Sequence, residues 1–205
     1  MAYGFTAEER QRIRFALRRQ ACACAVSPGM HKTTVEALTQ AAGISKGAFY
    51  LFYPSKELLF LEVLEELHTL VYGLMAEQIR EHPELPAQRR LSQAVLSACD
   101  ALESSGMLPF WENDVPALIQ KIPEDTLARQ YHADSVHIRD ALRPVLADEE
   151  RLDLAAAAVQ SLMLTLTHRR QIGPLYSQVL RITAEGLFRE LCPAASSAQG
   201  EVCHD

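Results

Sequence analysis

The sequence predicts an all-α protein: a small three-helix amino-terminal head, then a larger helical bundle, about nine helices in total. Three observations lead there. Apolar residues recur at intervals of three and four, as in Ile13, Leu17, Ala21 and Cys24, and no stretch alternates as a strand would. Helix-start patterns, TAEE at residues 6–9 and TTVE at 33–36, stand before apolar runs. Helix stops follow those runs at SPG 27–29, Gly43, Pro54, Gly106 and Pro144. A chain of 205 residues with 48% hydrophobic and 22% charged residues can bury a substantial core.

The first helix is expected from about residue 7 to Val26, opened by the box at Thr6. The second box starts a helix of barely two turns that ends at Gly43, where the missing side chain permits a left-handed cap. Ser45 then caps a third short helix, which should end at Tyr53 because Pro54 restricts its predecessor. Ser55 restarts the chain as a long helix through Leu59, Val63 and Leu67 to about Arg80. Helices are further expected over 86–105, 115–121, 124–143, 148–170 and 174–191, with an irregular stretch over 107–116. These elements suggest a head over 1–54, a body over 55–192 bridged by the helix 55–80, and a small polar tail over 193–205 expected to be disordered.

Charge divides the chain at the same place. Residues 1–60 hold eight Lys/Arg against four Asp/Glu, whereas the remainder carries the acidic excess behind the net charge of −6. A basic head on an acidic body suits a polyanion-binding segment attached to one that does not bind polyanion. The five cysteines (22, 24, 99, 192 and 203) form no regular framework, and their expected state is reduced. No CxxC or HExxH spacing points to a metal, and no phosphate loop or nucleophile elbow points to an enzyme or a cofactor. No apolar run reaches 18 residues and no cleavable leader pattern opens the chain, so the expected location is the cytoplasm.

The stretch ISKGAFYLFYPSKELL, residues 44–59, places Phe49, Tyr50, Phe52 and Tyr53 between Lys46 and Lys56. Two short helices joined by a tight glycine turn form a helix-turn-helix candidate, although such pairs also occur in plain bundles. Phe49, Phe52 and Tyr53 should anchor the inner face against Ile13, Leu17 and Leu38. Lys46, Gly47, Ala48 and Tyr50 should lie outward, where helix-terminal N–H groups, an ammonium and a phenol suit phosphate.

The run TTVEALTQAAGISKGAFYLFYPSKELL, residues 33–59, strongly resembles the DNA-binding segment of the TetR family of bacterial transcriptional regulators, and residues 7–26 fit the preceding helix. The resemblance implies an all-helical homodimer that binds an inverted-repeat operator in double-stranded DNA, most often as a repressor. It also implies release when a small-molecule effector occupies the larger segment. It places phosphate contacts on Thr33 or Thr34, Tyr50 and Lys56, and recognition positions on Ser45, Lys46, Gly47 and Ala48, with Leu51 adjacent. Lys46 is assigned a base-edge contact, with a phosphate contact as its alternative. Ala48 and Leu51 depart from the usual Thr and Tyr or His, which leaves the operator sequence open.

One recognition helix reads about half a turn of duplex, so two heads about 34 Å apart are needed. The last two long helices are the natural subunit seam, through Leu154, Ala158, Leu162, Leu166, Leu175, Val179, Ile182 and Leu187. The same stripes would otherwise form the monomer core. For an effector pocket, Tyr72, Met75, Cys99, Met107, Phe110, Trp111, Tyr131, His132 and Met163 are the candidates, since Trp and Met at irregular spacing can enclose an apolar ligand. The competing reading is a helical protein-interaction module without sequence-specific DNA binding.

Overall fold

The computed structural model describes residues 4–192, and the tail expected over 193–205 lies outside them. Among the described residues there are ten α-helical segments and no strand. The head comprises α1 (Ala7–Val26), α2 (Val35–Ala42) and α3 (Lys46–Phe49). Helix α4 (Lys56–Glu81) follows, then α5 (Ala87–Ser104), α6 (Val115–Ile119), α7 (Glu124–Leu142), α8 (Glu149–Thr165), α9 (Arg169–Ile172) and α10 (Tyr176–Leu191).

Local chemistry sets most of these boundaries. Thr6 Oγ1 accepts from the Glu9 N–H at 3.2 Å while its own N–H donates to Glu9 Oε2 at 2.8 Å, closing the capping box. Ser45 and Ser55 accept from Ala48 and Leu58 in the same way. Gly43 ends α2 at φ 67°, in the left-handed region. The second box is shifted by one residue from its expected place. Thr34, not Thr33, caps α2 and accepts from Ala37 at 3.2 Å, while Thr33 turns inward.

Three expected elements differ. Regular helix in α3 stops at Phe49, and hydrogen-bonded turns carry the chain to Tyr53. The stretch taken as irregular contains a π-helical turn, Phe110–Asp114, where the Val115 N–H reaches back five residues to the Phe110 carbonyl. Pro116 explains the departure, because it has no N–H for an ordinary ladder and its ring crowds the carbonyl four residues earlier. The single helix expected over 148–170 breaks after Thr165 into a short 3-10 turn. There the hydroxyls of Thr165 and Thr167 take the carbonyls of Leu162 and Leu164, both at 2.7 Å, in competition with the backbone ladder.

Helix α4, about 39 Å long at 1.5 Å per residue, is the spine. It packs against α1 in the head and against α5 and α7 in the body. One continuous apolar core runs from Ile13, Leu17 and Phe49 through Phe60 to Phe110, Leu152 and Phe188, so head and body share their interior. No helix among the described residues is long and apolar enough to cross a membrane.

Candidate nucleic-acid interface and buried cavity

Helix α3 is too short to stand alone, and three aromatic rings hold it. Phe49, Phe52 and Tyr53 are buried in the core that contains Ile13, Leu17 and Leu38. The Tyr53 hydroxyl donates to Glu62 on α4 at 2.6 Å, and burial raises its phenol pKa well above the usual range. With these rings inward, the other side faces solvent. Tyr50 is 49% exposed and Leu51 64%, and Ser45, Lys46 and Gly47 are exposed around them while Ala48 is half-buried. The Tyr50 ring stands edge-on to Phe49, with centroids 5.4 Å apart, which limits its directions. Lys46 Nζ lies 2.6 Å from Glu36 Oε1, an exposed pair that water and salt weaken.

Two residues assigned to phosphate have other partners. The Thr33 hydroxyl is buried and donates to the Gly29 carbonyl at 2.7 Å, so its burial corrects the expectation of a solvent-facing contact. Lys56 Nζ donates to the carbonyls of Met30 at 2.8 Å and Thr33 at 2.7 Å, which commits its ammonium to the turn between α1 and α2. Thr34 remains exposed at the start of α2.

Sequence reading missed the other clamp on that turn. Asp114, the last residue of the π-helical turn, is buried and accepts from the backbone N–H of Met30 at 2.9 Å and of His31 at 3.3 Å. Gly29, at φ 95°, permits this approach, since a Cβ there would sit 3.1 Å from Asp114 Oδ2. Body and head are thus joined by a buried charge-assisted contact. The Glu57–Lys121 pair, at 3.1 Å, links the start of α4 to the turn after α6.

Three residues before Asp114, Trp111 borders a cavity of about 210 Å³ between α4, the π-helical turn, α6, α7 and α8. Of the proposed pocket residues, Tyr72, Trp111, Tyr131 and Met163 border it. Met75, Cys99, Met107, Phe110 and His132 do not. Met75, Met107 and Phe110 are core, with Phe110 packed on Phe60, and His132 is exposed. Cys99 lies with its sulfur 3.7 Å from that of Met163, and burial pushes its thiol pKa up to about 12. The unanticipated members include a polar group: His68 Nδ1 pairs with Asp134 Oδ1 at 2.8 Å, and Gln130 Nε2 donates to the same oxygen at 3.1 Å. Their signal was available, since Gln130 and Asp134 stand one turn apart on the inward face of α7. A polar pair in that position needs a buried partner.

The proposed seam divides in two. Leu162 and Leu166 are buried in the monomer core, which corrects their assignment to a free face. Leu154, Leu175, Val179 and Ile182 are exposed, Ile182 by 70%, and Ala158 and Leu187 are half-buried. Among the described residues, no group of three His, Cys, Asp or Glu side chains is placed to hold a metal ion.

This head has the form of a helix-turn-helix, braced by a helical body. Residues 17–63 match the family model described as bacterial regulatory proteins, tetR family. The chain is 30% identical over 116 residues to the HTH-type transcriptional regulator YuxN of Bacillus subtilis, covering 53% of this chain and 39% of that one. It is 36% identical over 69 residues to the nucleoid occlusion factor SlmA of Glaesserella parasuis, covering 33% and 34%. The chain therefore spans only a third to two fifths of the length of these curated relatives. In fold it is similar to a transcriptional regulator of Streptomyces coelicolor A3(2), with a TM-score of 0.62 at 15% identity over 91% of this chain and 99% of that one. A TetR-family regulator from Mesorhizobium loti gives a TM-score of 0.59 at 16% identity, over 91% and 97%.

Proposed function

We propose that the protein is a ligand-responsive transcriptional regulator that binds inverted-repeat DNA as a homodimer, acting as a repressor, and leaves it when a small lipophilic effector fills the cavity. The observation that carries the reading is the two-sided α3, with three aromatic rings buried and Lys46, Gly47 and Tyr50 outward. A major groove admits one helix, and this one presents a lysine and a phenol to it. Lys46 would exchange Glu36 for the duplex. Thr34 and Tyr50 would hold phosphate, Ser45, Gly47, Ala48 and Leu51 would border the bases, and Thr33 and Lys56 would hold the turn that aims α2.

The exposed apolar residues of α8 and α10 support a two-fold seam. Leu175, Val179, Ile182 and Gly186 follow each other at helical spacing, and Gly186 has open space where a side chain would stand. For transmission, the π-helical turn is a route from cavity to head, with Trp111 at one end and Asp114 on the α1–α2 turn at the other. An effector that favours a shifted turn would reposition the head, and its effect on DNA equals its differential affinity for the two arrangements. Selection of bound duplexes from a random pool tests the reading. An inverted repeat with half-site centres about 34 Å apart is expected. A pool that shows no enrichment would contradict it.

A further inference from the structure

The cavity carries information about what fills it. Its volume, about 210 Å³, is small beside the roughly 300–1,000 Å³ of usual ligand sites. It is not much larger than an apolar cavity of about 150 Å³ that holds benzene, so the occupant is about one substituted ring. No lysine or arginine is among the lining residues, so a permanent anion would find no fixed cation there. Most of the wall is apolar, from Leu61, Leu64, Val115, Ile119 and Leu127.

Two polar atoms interrupt that wall. His68 Nε2 and Trp111 Nε1 are both buried without a hydrogen-bond partner among the described residues. Their rings pack at 5.1 Å between centroids, and both border the cavity. Buried polar atoms are nearly always paired, so two orphans on adjoining rings of the cavity lining point to a polar group in its occupant, reached by a small shift of the rings. The network assigns their roles. His68 Nδ1 faces the Asp134 carboxylate at 2.8 Å and so donates to it, and in the neutral imidazole Nε2 is then an acceptor. Trp111 Nε1 can only donate. One donor and one acceptor on adjoining rings match a hydroxyl, which accepts from the indole and donates to the imidazole.

We infer that the cavity takes a compact ring compound bearing a hydroxyl, a phenol or a close analogue, seated with its oxygen at Trp111 and His68. The inference rests on reading the cavity as the effector site, and the chemistry is measured without DNA so that the two can fail separately. Calorimetry on the full chain, with the fluorescence of Trp111, its single tryptophan, compares para-propylphenol, para-propylanisole and propylbenzene. The phenol should bind about tenfold or more tightly than propylbenzene, because the hydrocarbon leaves both polar atoms unanswered. The anisole, which accepts but cannot donate, should fall between them. Trp111→Phe, checked for an unchanged thermal melt and followed by calorimetry, should narrow the gap between phenol and hydrocarbon. Affinities of the three compounds within about twofold of one another, or no binding of the phenol at millimolar concentration, would overturn the inference. A duplex that stays bound while the phenol saturates the protein would instead remove the effector reading and leave the cavity chemistry standing.

Discussion

Head and body solve the same problem, the satisfaction of polar groups beside a buried core, over different distances. In the head, Thr6, Thr34 and Ser45 each cap a helix through an N–H three residues away. In the body, His68 meets Asp134 across 66 residues of chain, and Asp114 reaches Met30 across 84. Local satisfaction lets the head be built from short helices with one face free. Long-range satisfaction ties the body's interior to the position of the head.

The largest effect should separate two neighbours in α3. Phe49→Ala should cost about 3–5 kcal/mol of stability, the usual loss for a fully buried phenylalanine, and abolish DNA binding with it. Tyr50→Ala should leave the denaturation midpoint nearly unchanged, within about 0.5 kcal/mol, yet weaken binding at all duplex sequences. Chemical denaturation and duplex titration of both variants check this. Equal stability losses would mean that α3 has no outward functional face.

Next in size is the link between the two regions. Asp114→Ala leaves the Met30 and His31 N–H groups without their acceptor, and should cost about 1–3 kcal/mol. Thermal melting measures the loss, and hydrogen exchange should locate it at residues 29–33. Protection unchanged in that turn would show that Lys56 and Thr33 hold it alone.

What could be read from the sequence follows the same division. Helix starts at Thr6, Ser45 and Ser55 and the stop at Gly43 are encoded within three or four residues, so pattern alone finds them. The inward placement of Phe49 and Phe52 follows from helical spacing. By contrast, Lys56 is used up by carbonyls 23 and 26 residues earlier, and nothing near it in the chain shows this. The pocket list drew on large apolar residues, of which Met75 and Phe110 are core, and passed over His68 and Asp134, whose meaning appears only when α4 and α7 pack together. The break after Thr165 depends on hydroxyls competing for carbonyls, which helical periodicity does not register.

The smallest effect belongs to the exposed link. Lys121→Ala should cost no more than about 1 kcal/mol. Burial pushes the Glu57 carboxyl pKa up, but the hydrogen bonds at the start of α4 and from Lys121 outweigh it and hold it below the usual range. With the folded value depressed, the contribution is complete above the ordinary carboxylate value of about 4.3 and lost as pH falls through the folded one. The melting temperatures of Lys121→Ala and the parent should therefore differ slightly at neutral pH and converge in acid. A difference that grows in acid would reverse the assignment.

The most direct test of the central claim, that the outward side of α3 meets a duplex, is the salt dependence of affinity for the enriched duplex. Fluorescence anisotropy from about 50 to 200 mM salt should show a steep linear fall of log affinity with log salt concentration, and Lys46→Ala should reduce that slope by about one. Affinity that salt leaves unchanged, or a slope that Lys46→Ala and Tyr50→Ala both leave intact with no loss of binding, would contradict it.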